Sequence, residues 1–322
     1  MTGADGRLGS ALVGALTRRA PLARVVSVES WSRPELDLDR PEALTALVRD
    51  RRPDLVIHAA AWTDVDGCAR EPEVAMRRNG EATATLAEAC RAAGADLLYV
   101  STNEVFDGQR ADGRPYEEDD PVAPTTSYGV SKRAGEEAVL TACSGAPADG
   151  SASLRSVVSG YRTTRPLGWI VRTAWLYGPP GTDFPAKILA AAARAGADGT
   201  PLRLVVDEIG TPTRAADLAV GIVDLVRARP AAGIYHLVNS GRASRADWAA
   251  AVLDGVGLRV ATERVPASTW RRASAPPLWS VLGTGRAAEL GIILRDWRAA
   301  LFDELPRYRA LLADLQPDEV AR

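Results

Sequence analysis

Lysine is nearly absent from this 322-residue chain: of its 39 basic residues only Lys132 and Lys187 are lysine, and all the others are arginine. Histidine is as scarce. His58 and His236 stand alone among apolar neighbours, so a histidine metal site or a Ser-His-Asp triad has little to draw on. Cys68, Cys90 and Cys143 are odd in number and lack metal-ligand spacing, so reduced thiols and no metal centre are expected. No apolar run nears the roughly 20 residues that span a bilayer, and the N-terminus lacks the basic, apolar and small-residue succession of a signal peptide. A net charge of −2 offers no handle for nucleic acid or a membrane surface. What is left is the expectation of a soluble, cytoplasmic, globular protein, whose 46% hydrophobic content can bury a large core.

Where lysine is this rare, its use at position 132 points to a site that needs a compact ammonium and not a planar guanidinium. Tyr128 precedes it by four residues in Tyr128-Gly129-Val130-Ser131-Lys132, which puts both side chains on one face of a helix start. With 7 tyrosines and two lysines in the chain, a chance pair at this spacing is rare. A free phenol titrates near pH ~10, and a fixed cation beside it favours the phenolate, moving it towards proton transfer near neutrality. A hydroxyl such as Thr102, next to Ser101 at a strand end upstream, can hold a substrate oxygen. Thr102, Tyr128 and Lys132 are the candidate catalytic residues.

Glycines at 3, 6 and 9, with Arg7 and Leu8 between them, precede an apolar helix from Ala11 to Leu16. That spacing suits a tight turn, backbone approach to a pyrophosphate and close helix packing on a sheet. Only Met1-Thr2 come before it, so the first strand is expected to be missing, Met1 standing where the valine of a V-T-G strand end belongs. Arg24 to Val28 reads as a strand ending at Glu29, 20 residues after Gly9, where a carboxylate can accept from the ribose 2′-hydroxyl of NAD; Arg33 just beyond suits the 2′-phosphate of NADP. Asp37-Leu38 then precede a helix from about 41 to 51. Asp54 to Ala61 is a short apolar run that reads as a buried parallel strand, ending in the small residues Ala59, Ala60 and Ala61 and followed by the loop Trp62 to Asp66 at the carboxyl edge of the sheet. A helix from about 73 to 93 carries Asn79, a candidate cofactor contact, with a solvated surface amide as the alternative.

Residues 95–101 form the next strand, 103–127 a long polar loop suited to covering a site, and 144–166 a Ser-, Gly- and Arg-rich surface excursion. Strands are expected at 169–175, 202–206 and 233–238, an extended stretch at 259–265, and helices at 184–195, 217–227, 248–256 and 297–312. This alternation predicts an α/β protein: a doubly wound, mostly parallel Rossmann sheet with a smaller C-terminal substrate lobe. The expected division gives residues 1–178 and 205–243 to the dinucleotide-binding domain and 179–204 and 244–322 to the lobe.

Several motifs then converge. They are Gly3-x-x-Gly6-x-x-Gly9, Ala59 to Asp66, Ser101 to Gly108, Tyr128 to Lys132 with Gly135-Glu136, Arg172 to Gly178, Val206 to Thr213, and Gly233 to Leu237. Over nearly its whole length the chain resembles the extended short-chain dehydrogenase/reductases, most closely the dTDP-4-dehydrorhamnose reductase family. The resemblance implies an NADPH- or NADH-dependent reduction of a sugar-nucleotide C4 ketone, with dTDP-4-dehydro-L-rhamnose giving dTDP-L-rhamnose. Tyr128 would be the acid, Thr102 a second hydrogen-bond partner of the same oxygen, and Lys132 the ribose-binding residue that tunes Tyr128. It also implies that Thr63, Val65 and Trp175 line the sugar pocket, with core packing an alternative for Trp175, and that Lys187 meets the diphosphate, with a solvated lysine as its alternative. A nucleotide-sugar partner and a possible homodimer go with it.

The chain departs from the family at Asn103-Glu104, where an Asp-Tyr pair is usual, and at Pro276, where an arginine is usual. Both are placed with the substrate. Glu104 gives the stretch some likeness to sugar-nucleotide 4,6-dehydratases, and a dehydratase or epimerase with recycled NAD is the first alternative. The amide of Asn103 has no proton to give, which counts against dehydration. A non-catalytic binding subunit is the second alternative, since fold alone does not imply catalysis.

Overall fold

The computed structural model describes residues 1–19, 27–143 and 166–315. Its centre is a parallel sheet built from β1 (Leu55–His58), β2 (Asp96–Thr102), β3 (Gly168–Thr173) and, further along the chain, the strand Gly233–His236. The sheet alternates strictly. Leu97, Tyr99 and Ile170 point to one face, into a core completed by Leu44, Val48, Leu86, Cys90 and Val139. Leu98, Trp169 and Val171 point to the other, against Leu8, Leu12, Leu218 and Ile222. Helices α1 (Arg7–Arg19) and Ala215–Ala228 cover the second face. Helices α2 (Pro41–Arg51), α3 (Ala82–Ala93) and α4 (Ser127–Cys143) cover the first. A strand buried on both sides carries apolar residues at every position, which is why these runs read as continuous in sequence.

The place between the two halves of the sheet is held by the first three residues. Thr2 forms parallel bridges to Trp31 on one side and to His58 on the other. The Thr2 amide donates to the Ile57 carbonyl at 3.0 Å, and the Trp31 amide to the Met1 carbonyl at 2.7 Å. The strand order therefore reverses beside Thr2, and the crevice at the carboxyl ends lies there, bounded by Gly3 and by Ala59 to Ala61. Of the strand expected at 24–28, residues 24–26 lie outside the described residues; the pairing seen is at Trp31, a few residues later. The excursion expected at 144–166 lies outside them too, except for Pro166.

Two helices differ from expectation. The stretch expected as one helix at 73–93 is a turn at Pro72–Ala75, a π-helical segment at Met76–Glu81, and then α3. The helix expected at 297–312 breaks into Trp297–Phe302 and Leu305–Leu315, because Pro306 has no amide hydrogen to give to the preceding turn.

A third hydrophobic cluster lies away from the two faces of the sheet. It gathers Leu189, Leu202, Trp248, Leu253, Trp297 and Tyr308 around the parallel pair Leu202–Val205 and Thr262–Val265. Ala287, Ile292 and Leu294 pack back onto the first core. No described helix is long and apolar enough to cross a membrane.

One ion pair joins α4 to the sheet. Glu136 and Arg172 are both buried, and the guanidinium donates twice to the carboxylate, each time at 2.8 Å. Arg133 adds a third contact at 3.1 Å. Removing one partner of such a pair strands the other charge in a dry interior, at a cost of about 3–5 kcal/mol. Glu136→Gln is therefore expected to lower the urea midpoint of unfolding by an amount corresponding to about that loss. A midpoint within experimental error of the parent's would show that the pair contributes no net stability.

Candidate active site

The strand β2 ends at Thr102, and the chain turns at once into a single 3-10 turn, Asn103–Val105. The Thr102 hydroxyl accepts from the Glu104 amide at 3.2 Å, which caps that turn and fixes the hydroxyl at the sheet edge. It also donates towards the side-chain oxygen of Asn103 at 3.4 Å. Helix α4 begins opposite. Thr126 accepts from the Gly129 amide at 2.9 Å and donates to the Glu104 carboxylate at 2.8 Å, so one hydroxyl ties the helix start to the strand end. The approach is close: a Cβ on Gly129 would sit 2.1 Å from the Glu104 carbonyl oxygen. That contact brings Tyr128, half-buried in the first turn, towards Thr102, whose hydroxyl acts on the phenol's pKa.

Lys132 lies one turn deeper and is 2% exposed. Its ammonium donates to the Val100 carbonyl at 2.8 Å and sits 4.1 Å from the centroid of the Tyr99 ring. On the far side of that ring is His58, stacked at 5.6 Å and held between the hydroxyls of Thr2 at 2.7 Å and Thr83 at 3.1 Å. Burial lowers the Lys132 pKa from 10.5 to about 7, with Glu136 one turn on pulling it back up. Burial and the Lys132 charge hold His58 down at about 3, so the imidazole is neutral.

The phenol corrects an expectation from sequence. The Tyr128 pKa is raised: burial is the largest cause, then the negative charge of Glu104 and the Cys68 thiol, while the hydrogen bond with Thr102 opposes them. The Lys132 cation is directed at Val100 and Tyr99, and the group next to the phenol is a carboxylate. Tyr128 is therefore kept protonated, the form that can donate.

The glycine turn lies along the same edge. Gly3 has φ +67°, and a Cβ there would stand 2.8 Å from the Ala60 Cα; a Cβ on Gly9 would stand 1.9 Å from the Gly3 carbonyl oxygen. Only a turn without side chains fits between the two strand ends. Its backbone leads into α1, a 13-residue helix, and the side-chain-free approach at Gly3 and Gly9 fits a dinucleotide pyrophosphate at a helix start. Leu8 is buried under the turn, while Arg7 reaches across the cleft, donating to the carbonyls of Gly178 at 2.6 Å and Thr182 at 3.1 Å. Glu29 is exposed, with the Trp31 indole donating to it at 3.3 Å; Asp37 accepts from the Asp39 amide at 3.0 Å, and Leu38 is half-buried beside it. Ala59, Ala60 and Ala61 are half-buried along the crevice.

Asn79 is not a solvated surface amide. It is 1% exposed at the π-helical segment, its oxygen accepting from the Trp62 amide at 2.8 Å and its nitrogen donating to the Trp62 carbonyl at 3.0 Å and the Ser131 hydroxyl at 3.1 Å. The extra residue of a π turn is what aims it inward. Asn79 thus sets the loop after β1 against α4.

Across the cleft, Trp175 is joined by residues that sequence reasoning missed. Arg245, the first residue of helix Arg245–Val256, lies 3.6 Å from the centroid of the Trp175 ring and donates to Glu208 at 3.2 Å. Trp175 has φ +43° and stacks on Trp248 at 5.8 Å. The Ser244-x-x-Asp247 capping box was a legible helix-start signal, but nothing in it tells that Arg245 turns inward. Arg272 bonds Asp66 at 3.1 Å and so ties the lobe to the loop after β1. Asn103 is buried and Glu104 half-buried on the sheet side of this cleft; Val65 is half-buried, Thr63 exposed, and Lys187 exposed near the start of helix Phe184–Asp198.

The family profile described as the RmlD substrate binding domain matches residues 1–147 and 160–310. A dTDP-4-dehydrorhamnose reductase of Streptomyces griseus is 39% identical over 313 residues, covering 95% of this chain and 92% of its own. A probable dTDP-4,6-dihydroxy-2-methyloxan-3-one 4-ketoreductase of Streptomyces antibioticus is 36% identical, covering 95% and 94%. Among solved structures, a dTDP-4-dehydrorhamnose reductase of Bacillus anthracis in complex with NADP superposes with a TM-score of 0.76 at 28% identity, covering 95% of this chain and 97% of its own.

The low Lys132 pKa has a consequence for stability. Between pH 7 and pH 10 the unfolded chain carries a proton that the folded chain has given up, so this group makes stability rise with pH across that window. Lys132→Met removes the titration. Its stability relative to the parent is expected to fall steadily from about pH 7 to about pH 10, followed by urea unfolding in a pH series; a difference independent of pH would contradict the assignment.

Proposed function

The chain belongs to the RmlD substrate binding domain family, and from that premise we propose an NADPH- or NADH-dependent reductase of the C4 ketone of a nucleotide-activated 4-keto-6-deoxysugar. The substrate proposed is dTDP-4-dehydro-L-rhamnose and the product dTDP-L-rhamnose, the activity after which its Streptomyces griseus and Bacillus anthracis relatives are named. The observation that carries the reading is the meeting of Thr102, a protonated Tyr128 and Lys132 at the strand edge beside the glycine turn.

The nicotinamide, when bound, supplies hydride to C4. The chain's own residues do the rest. As C4 takes up hydride its oxygen gains negative charge, and the Tyr128 hydroxyl transfers a proton to it while Thr102 holds the same oxygen. Lys132 would bind the nicotinamide ribose. Its positive charge stabilises the phenolate left behind when that network assembles. Residues 1–178 and 205–243 hold the cofactor, with Gly3, Gly6, Gly9, Glu29, Asp37, Leu38 and Ala59 to Ala61 along it. The sugar nucleotide lies against residues 179–204 and 244–322, with Thr63, Val65 and Trp175 along the sugar and Lys187 at the diphosphate.

Asn103 bears on the dehydratase alternative. Its buried amide cannot act as the acid that protonates a leaving hydroxyl. Replacing Tyr128 by Phe is expected to lower the rate of NADPH oxidation with dTDP-4-dehydro-L-rhamnose by roughly 10²–10⁴-fold while NADPH binding changes little. Turnover within a few-fold of the parent's would remove Tyr128 as the acid.

A further inference from the structure

Glu104 stands where no part of the reduction just described requires a carboxylate. Its main chain is pinned on both sides: its amide donates to the Thr102 hydroxyl at 3.2 Å, and its carbonyl oxygen meets the Cα side of Gly129 closely enough to exclude any Cβ. Its side chain is positioned by one hydroxyl, that of Thr126, which donates to Oε2 at 2.8 Å. Among the described residues Thr126 is the hydrogen-bond donor to this carboxylate, which leaves Oε1 able to accept from a ligand. The titratable groups facing it are the neutral phenol of Tyr128 on α4, Arg245 and Glu208 across the cleft, and Arg272 on the segment tied to Asp66. Arg245 is already engaged by Glu208 and the Trp175 ring, and Arg272 by Asp66. Among the described residues Glu104 thus has no ion-pair partner of its own, and it faces Arg245 and Arg272 across the cleft.

We propose that Glu104 is a specificity-determining residue that accepts a hydrogen bond from the sugar hydroxyl next to the reacting ketone. The inference rests on the reductase reading above. In a 4-keto-6-deoxyhexose C4 is flanked by C5, which bears the methyl group, and by C3, which bears a hydroxyl; the hydroxyl read is therefore that on C3. A carboxylate held by the same Thr126 that caps α4 sits one hydrogen bond from the helix start, so reading the C3 hydroxyl and placing the acid are done by one rigid unit. The preferred substrate class is a sugar nucleotide with a hydrogen-bond donor on C3. The effect on Tyr128 has a definite sign. A negative charge beside a phenol opposes its ionisation, so removing that charge makes the phenolate easier to form. The other groups acting on Tyr128 are the Cys68 thiol and the Thr102 hydroxyl, which the test leaves in place.

The experiment compares the full-length parent with Glu104→Gln and Glu104→Asp on dTDP-4-dehydro-L-rhamnose and on its 3-deoxy counterpart, following NADPH oxidation across pH, with urea midpoints taken for each protein. Glu104→Gln is expected to lower kcat/KM for the hydroxyl-bearing sugar roughly 10- to 100-fold and for the 3-deoxy sugar by no more than about threefold, and to move the alkaline limb of kcat to lower pH. Glu104→Asp, which keeps the charge but withdraws it by one methylene, is expected to lose the discrimination and to keep the alkaline limb. Equal losses on both sugars would overturn the proposal alone. A parent chain inert towards the 4-keto sugar would overturn the reductase reading, and this proposal with it.

Discussion

The proposed chemistry depends on one positive charge, that of Lys132, held inside a dry seam between a helix and a sheet. Desolvation alone would drive the proton off, and it brings the pKa down to about 7. The surroundings are arranged around that cost. The Val100 carbonyl takes a hydrogen bond, the Tyr99 ring offers its face, and Glu136 lies one helical turn away, itself locked by Arg172. The same contacts set the depth of α4 in the sheet and so the position of Tyr128 at its mouth. His58, the nearest imidazole, stays neutral, which avoids placing a second cation against the first.

Much of this was legible in the sequence because it depends on local spacing. The four-residue separation of Tyr128 and Lys132 and the glycines at 3, 6 and 9 are short-range statements, and the structure brings them to the same sheet edge. The alternating strands and helices gave the parallel sheet for the same reason. What could not be read was decided by partners distant in sequence. Arg245 and Trp175 are 70 residues apart, and no periodicity announces that a guanidinium at a helix start turns back over an indole. The inward aim of Asn79 needs a π turn, which has no clear sequence mark. The direction of the Tyr128 pKa was misjudged because Lys132 is visible four residues along, whereas Glu104 is brought close only by the approach of Gly129 to the strand end.

Glu104 also shows how a departure from the family pattern acquires a physical meaning. From sequence it pointed two ways, to a reductase with an altered pocket or to a dehydratase-like site. In the structure the residue beside it is a buried amide without a titratable proton, while Glu104 itself is tied through Thr126 to the helix that carries the proposed acid. An acidic neighbour that raises the phenol pKa suits a tyrosine that must arrive protonated. Reduction makes that demand.

The central claim is that reduction occurs at C4 with net consumption of the cofactor. It is tested most directly by supplying NADPH that carries deuterium as the transferable hydrogen, together with dTDP-4-dehydro-L-rhamnose, and locating the label in the product by NMR. The account predicts one deuterium at C4 for each NADPH oxidised. A product without label at C4, or conversion of the sugar with no net oxidation of NADPH, would contradict it.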